Sequence, residues 1–126
     1  IYSKCDYVFI RHDVAMQFQK EMMKGITEIV VLKTLNDRGA LYGYELVKAI
    51  EKDSNGIFSF QEGTVYPLLY RLELKGYLHS DIQPAPSGKP RRYYTLTDSG
   101  KRLFREKKEE CDMMMVGLKT ILHQAV

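Results

Sequence analysis

The stretch from residue 63 to residue 77 carries hydroxyl and guanidinium groups at a spacing that suits contact with a nucleic acid. Its apolar residues recur three and four positions apart, as on the buried face of a helix: Val65, Leu68, Leu69 and Leu72. The same periodicity turns four other side chains outward: Thr64, Tyr66, Tyr70 and Arg71. Such groups on one helix face can hydrogen-bond to base edges and phosphate oxygens.

A basic segment follows at a short distance along the chain. Between Gln83 and Arg92 there are three cations, Lys89, Arg91 and Arg92, and no acidic residue. Prolines at positions 84, 86 and 90 leave this turn with little to pack against, so we expect its cations to contact phosphates or the minor groove. Solvated charge without a partner is the alternative.

The side chains near the start of the predicted helix are candidates for DNA contact, each with a structural alternative. Tyr66 and Tyr70, one turn apart, each either contact DNA or pack against the basic segment. Contact is favoured for Tyr66, which lies where recognition helices usually contact DNA. The amides beside Gly63, together with Thr64, can hold a phosphate at the positive end of the helix dipole. Thr64 can also cap the helix.

Two further residues are candidates with a structural alternative. Arg71 could reach the DNA backbone, but its position two residues before Glu73 favours a structural role, as an internal ion pair or a packing element. Tyr44, which begins another predicted helix, either contacts the DNA backbone or packs in the core.

Composition limits the class of protein. The chain has 126 residues, of which 44% are hydrophobic and 28% charged, which supports one soluble domain with a single core. The formal net charge is only +3. A nucleic-acid footprint would therefore depend on local concentration of charge, as in the basic segment.

Residues that could serve catalysis or metal binding are scattered. Cys5 and Cys111 lie far apart, and the histidines stand at positions 12, 79 and 123, so spacing predicts no disulfide, metal site or catalytic set. We therefore expect no enzyme and no cofactor. The apolar runs are too short for a membrane span and no signal peptide is recognisable, which predicts a cytoplasmic protein.

Periodicity and turn residues predict the elements that must position these side chains. We expect helices over 18–36, 43–53 and 62–76, strands over 77–82 and 91–96 with a loose tip between them, and a last helix from the N-cap Thr97 to about His123. This order is that of a mainly α, winged helix-turn-helix domain with a small two-stranded β-wing. Residues 1–15 are expected to be a tag-like or atypical extension, or else a native arm that packs through residues 7–10.

The last predicted helix is a candidate dimerisation element. At ~1.5 Å per residue it would be about 40 Å long, so part of it must project from a small domain. Apolar residues follow one another along it at coiled-coil spacing: Phe104, Cys111, Met114, Met115, Leu118, Ile121 and Leu122. We expect this seam to pack against a second copy, which divides the chain into a DNA-binding domain over 16–96 and a dimerisation helix over 97–126.

Three motifs resemble those of the PadR family of bacterial transcriptional regulators. They are the start of the second helix at Tyr42-Gly43-Tyr44-Glu45-Leu46, the third helix at Glu62-Gly63-Thr64-Val65-Tyr66-Pro67, and the wing at Gly88-Lys89-Pro90-Arg91-Arg92-Tyr93-Tyr94. The resemblance extends from Lys20 to Ile121. It implies a homodimeric DNA-binding regulator, a repressor, whose operator is an inverted repeat.

The resemblance also implies a small aromatic or phenolic effector that releases the protein from DNA. An apolar pocket between the last helix and the first would be lined by Phe104, Met114 and Leu118. The chain has no tryptophan, so we do not expect a flat ligand to stack between two such rings. A winged-helix module that binds another protein through its outward tyrosines is the alternative function.

Overall fold

The computed structural model describes residues 20–124. Seven elements follow one another in this part of the chain: α1 (Lys20–Arg38), β1 (Leu41–Tyr42), α2 (Gly43–Asp53), α3 (Glu62–Leu74), β2 (Leu78–Pro84), β3 (Pro90–Leu96) and α4 (Asp98–Leu122). The predicted helices and hairpin are confirmed, with described ends shifted by up to about two residues, as is usual for helix ends. The expectation for residues 1–15 lies outside the described residues.

The sheet has three strands, one more than the sequence predicts. Its order is β1-β3-β2 and all pairing is antiparallel. In the missed strand, Leu41 pairs with Tyr94 and Tyr42 pairs with Tyr93. Two residues are too few for an alternating pattern to be recognised. The strand fastens the start of α2 to the base of the wing formed by β2 and β3.

One apolar core lies between α1, α2 and α3. Its most deeply buried side chains come from these helices: Val31, Leu32, Leu35, Leu46, Ile50, Val65, Leu69 and Leu72. Leu78 and Tyr94 from the sheet and Phe104 from α4 belong to the same cluster. The buried face predicted for α3 is confirmed. Apolar packing therefore fixes α3 relative to α2 and the wing.

A glycine ends α3, as its sequence predicts. Gly76 has a φ of 82°. The Tyr77 N–H donates to the Leu72 carbonyl at 2.9 Å, and the Gly76 N–H donates to the Glu73 carbonyl at 3.0 Å. These two bonds form a Schellman motif. The motif turns the chain from α3 directly into β2, which places the wing beside α3.

The start of α4 packs against the same turn. Thr97 Oγ1 accepts a hydrogen bond from the Gly100 N–H at 3.1 Å, which confirms the predicted N-cap. The Thr97 and Ser99 hydroxyls donate to the Gly76 carbonyl at 2.7 and 2.9 Å. A β-carbon on Gly100 would lie 2.1 Å from the Tyr77 carbonyl oxygen. Only glycine fits at this position without displacing the backbone.

Gly100→Ala is therefore expected to lower the free energy of unfolding by about 2 kcal/mol, since the added methyl group must push backbone apart. Gly117→Ala is the matched control in the same helix, because nothing apart from its chain neighbours and the adjoining helix backbone lies within 4 Å of the position its β-carbon would take. The control should be neutral or stabilising by up to ~1 kcal/mol. Urea denaturation of both variants and the parent measures the difference. A Gly100→Ala protein as stable as the parent would contradict the close packing.

Candidate nucleic-acid interface

The outward face of α3 is exposed, as its periodicity predicts. Tyr66 and Tyr70 are 42% and 60% exposed. Thr64 and Arg71 are exposed beside them. The face therefore presents two phenol groups, one aliphatic hydroxyl and one guanidinium to solvent.

Thr64 does not cap α3, so that alternative from the sequence is wrong. The helix begins at Glu62 with Gln61 as its N-cap, so Thr64 lies inside the first turn. The Thr64 N–H donates to the Gln61 carbonyl at 3.0 Å. Gly63 has open space where a β-carbon would stand. A phosphate could therefore approach the backbone at Gly63, with the Thr64 hydroxyl next to it.

The ring of Tyr66, on α3, packs against the start of α2. The ring lies on Gly43, where a β-carbon would come within 2.4 Å of Tyr66 Oη. The Tyr66 hydroxyl donates to Glu62 Oε1 at 3.1 Å. Partial burial, and then this bond to a carboxylate, raise the pKa of Tyr66, so the phenol stays protonated. The structure thus supports Tyr66 from two sides.

Tyr44 lies on the surface and does not pack in the core. It is 50% exposed. Its ring stacks on that of Tyr42, with centroids 6.5 Å apart, and Lys48 Nζ lies 5.6 Å from its centroid. Core packing of Tyr44 is therefore wrong, and its contact with the DNA backbone stays a prediction.

The tip of the wing is a compact turn, so the loose tip predicted from its composition is wrong. The Ala85 N–H donates to the Lys89 carbonyl at 2.8 Å, and the Gly88 N–H donates to the Ala85 carbonyl at 2.7 Å. Pro86 has the fixed φ that the second position of a type I turn requires, and Gly88 closes the turn with a φ of 90°. The Lys89 side chain is exposed at the end of this turn.

Both arginines of the wing are exposed and have a contact within the chain. The Arg91 guanidinium carbon lies 5.9 Å from the centroid of the Tyr42 ring. Arg92 Nη1 donates to the Ser80 hydroxyl at 3.1 Å. These contacts hold the two charges in place and leave them accessible to a partner.

A chain of hydrogen bonds joins α3 to the wing. The Ser80 hydroxyl donates to Glu73 Oε2 at 2.6 Å while it accepts from Arg92. The predicted ion pair between Arg71 and Glu73 is wrong: in the described part of the chain Glu73 binds the wing instead. Side chains two positions apart on a helix point in different directions. Arg71 thus remains exposed.

A depression of about 450 Å³ lies between α3, the start of α2 and the wing. Its lining residues are Tyr42, Tyr44, Glu62, Tyr66 and Arg91. Three of them belong to the predicted DNA-binding set, whereas Lys89, Arg92, Tyr70, Thr64 and Gly63 lie outside the depression. Tyr42 and Glu62 were missed as site residues. Both stand within the motifs at the starts of α2 and α3, and that position was the available signal.

The apolar seam of α4 is exposed beyond its first turns. Every residue from 112 to 124 is exposed. The exposed members of the predicted seam are Met114, Met115, Leu118, Ile121 and Leu122. The prediction that Phe104 belongs to the dimerisation seam is wrong. Phe104 is only 6% exposed and lies in the core of its own chain, because this part of α4 still packs on the domain. The exposed part of the predicted seam therefore begins near the half-buried Cys111.

A groove of about 780 Å³ lies between α1, α2 and α4. Its apolar lining includes Ile29, Val30, Phe58, Phe104 and Cys111. Of the residues predicted for an effector pocket only Phe104 lines this groove; Met114 and Leu118 are exposed farther along α4. The prediction placed these two residues in the wrong part of α4, because the groove lies beside residues 104–112 of that helix.

Ion pairs stand at the rim of this groove. Arg38 on α1 donates to both carboxylate oxygens of Asp53 on α2, at 2.6 and 3.2 Å. The pair lowers the pKa of the Asp53 carboxyl and raises the pKa of the Arg38 guanidinium. Lys108 and Asp112 form a second pair at 2.7 Å on α4. The groove thus has an apolar floor and charged edges.

Within residues 20–124, no three histidine, cysteine, aspartate or glutamate side chains are placed to hold a metal ion together. No helix of that segment is both long and apolar enough to cross a membrane.

Comparison with known proteins identifies the family. The model of the transcriptional regulator PadR-like family matches residues 31–106, more than half of the chain. The chain belongs to this family. The match takes in the second part of α1, all of α2 and α3, the sheet and the first part of α4. The PadR-like family is one of transcriptional regulators and not a class of enzymes.

Two relatives are similar to more than two thirds of the chain. Transcriptional regulator YqjI of Escherichia coli strain K12 is 31% identical over 90 residues, which are 71% of this chain and 41% of that protein. The chain therefore spans about two-fifths of the length of YqjI. An uncharacterised protein, protein X, of Lysinibacillus sphaericus is 28% identical over 107 residues, 79% of this chain and 97% of that protein.

Solved PadR-like structures share the fold. A PadR-like transcriptional regulator from Bacillus cereus strain ATCC 14579 has a TM-score of 0.72 and 28% identity, with 85% of this chain and all of that chain covered. A PadR family transcriptional regulator from Eggerthella lenta DSM 2243 has a TM-score of 0.69 and 31% identity, with 96% and 99% covered. The chain is thus a winged-helix transcriptional regulator of the PadR-like family.

Proposed function

We propose that this PadR-like chain forms a homodimer that binds an inverted-repeat operator and represses transcription until a small aromatic or phenolic molecule releases it. One observation carries the proposal: Tyr66 of α3 and Arg91 of the wing line the same depression, and the other exposed tyrosine of α3 and the other exposed cations of the wing belong to the same two elements. This arrangement suits a helix in the major groove with a hairpin on the adjacent backbone.

Each candidate side chain has a place in this arrangement. Tyr66 and Tyr70 would contact base edges or phosphates from α3. The Thr64 hydroxyl and the backbone at Gly63 would hold a phosphate at the helix N-terminus. The contacts to flanking phosphates would come from Tyr44, Lys89, Arg91 and Arg92.

The uncovered seam of α4 supports the homodimer. Its apolar residues from Met114 to Leu122 are each 50% exposed or more in the single chain. A seam of that kind is covered when the same helix of a second copy packs against it. The two-fold axis would place two copies of α3 in successive major grooves about 34 Å apart, which predicts an operator of two inverted half-sites.

The groove between α1, α2 and α4 supports release by an effector. Its apolar floor and charged rim suit a small aromatic molecule with a polar or acidic group. A ligand bound there would contact both α1 and the helix that joins the two copies. It could thereby change the distance between the two reading helices.

Selection of duplexes from a random pool, followed by titration of a selected duplex at two salt concentrations, tests the proposal. We expect an inverted repeat to be recovered and binding to weaken as salt rises, because phosphate contacts release counterions. A scrambled duplex of the same composition is the control. Absent or salt-independent binding would reject the DNA-binding mechanism, and a series of phenolic acids without effect on affinity would reject the effector.

A further inference from the structure

Glu62 places a negative charge on the surface proposed to face DNA. It is the first residue of α3, is exposed, and lines the depression together with Tyr44, Tyr66 and Arg91. DNA phosphates would repel this carboxylate. A carboxylate at such a place weakens binding unless the DNA offers it a hydrogen-bond donor.

Only one oxygen of this carboxylate is engaged. Tyr66 donates to Oε1 at 3.1 Å, and the Tyr66 ring is itself held against Gly43. Among the described side chains, no ion pair and no second hydrogen bond involves Glu62. The carboxylate is therefore held through Oε1, while Oε2 has no hydrogen-bond partner among the described residues, and Glu62 lines the depression together with Arg91 of the wing.

We infer that Glu62 determines specificity by accepting a hydrogen bond from the N4 amino group of a cytosine in the major groove; the inference rests on the proposed function. The amino donors of the major groove are cytosine N4 and adenine N6. Adenine places the acceptor N7 next to N6, which a carboxylate would oppose, whereas cytosine has no acceptor beside N4 on its own edge. The open oxygen of Glu62 thus favours cytosine at one position of each half-site.

If Glu62 only stabilised α3, a different result would be expected. A carboxylate in the first turn of a helix stabilises the positive end of the helix dipole. Its loss would then lower stability and change the affinity for every duplex by the same factor. A base contact instead changes the ranking of duplexes at one position.

Glu62→Gln separates the two roles because it keeps the size of the side chain and an acceptor for Tyr66. The new amide pairs with adenine N6 and N7, so the preferred base should change from cytosine to adenine. The parent should prefer cytosine over adenine by roughly tenfold, and the variant should prefer adenine over cytosine by roughly tenfold. Affinity for a random duplex should rise about twofold to fivefold as one repulsive charge is lost. Glu106→Gln, an equal change at an exposed site on α4, should leave both unchanged.

Competition binding against duplexes that carry each base at each operator position provides the measurement. Tyr66→Phe is the second variant: it keeps the ring on Gly43 and removes the donor to Oε1, so it should weaken the cytosine preference without creating one for adenine. Unchanged base ranking in both variants, while the parent binds DNA, would overturn the inference alone. A parent that binds no duplex would overturn the proposed function and this inference with it.

Discussion

Replacement of Lys89, Arg91 and Arg92 by alanine is expected to weaken operator binding on the order of 100-fold at ~0.1 M salt. Each lost phosphate contact lowers the slope of log affinity against log salt by about 0.9, so three contacts lower it by roughly 2.7. All three side chains are exposed on the wing, and their removal leaves the core intact. Fluorescence anisotropy across a salt series measures both quantities.

A charge-matched triple variant controls for this result. Lys101, Arg102 and Arg105 are exposed on α4 and belong neither to the wing nor to α3. Their replacement by alanine removes the same formal charge, so it isolates the place of the charges from their number. If the wing variant retained the affinity and salt slope of the parent, the wing would not contact DNA, and a protein-binding role of this surface would be favoured.

The double variant Leu118→Glu and Ile121→Glu is expected to convert the proposed homodimer into monomers at micromolar concentration. Leu118 and Ile121 are 51% and 70% exposed in the single chain, so the protomer fold should remain intact. An apolar interface that buried these carboxylates without partners would lose several kcal/mol. Since the two half-sites would no longer be bound by one molecule, operator affinity should fall about 100-fold or more.

Sedimentation at several concentrations and binding to whole and half operators measure this effect. Thr120→Glu is the control, because Thr120 lies between the two residues in sequence but about 200° around the helix from Leu118. It adds one carboxylate to the same exposed stretch. A double variant that sedimented as a dimer would place the joining surface elsewhere.

Local patterns were sufficient for the helices and for the exposed face of α3. The spacing of Val65, Leu68, Leu69 and Leu72 decided which side of α3 is buried, and all four are at most 6% exposed. The cap at Thr97 and the turn at Gly76 were also predictable, because both depend on residues adjacent in sequence. The candidate site was therefore largely recognisable as a set of outward side chains.

Features that depend on distant residues were not predictable in this way. Glu73 is bound by Ser80 across the wing and not by Arg71 in its own helix. Phe104 fits the seven-residue repeat of a helix seam, yet it is buried in the core of its own domain. Tyr42 joins the site through pairing of β1 with β3, which a two-residue strand does not reveal in sequence. Each case required knowledge of which elements lie side by side.

The contact between Gly43 and the Tyr66 ring limits how the protein can be redesigned to recognise other sequences. A methyl group at residue 43 and a phenol ring at residue 66 would occupy the same space. Libraries that randomise either position alone would therefore lose combinations that pair a larger residue at 43 with a smaller one at 66. Randomising both codons together would recover them.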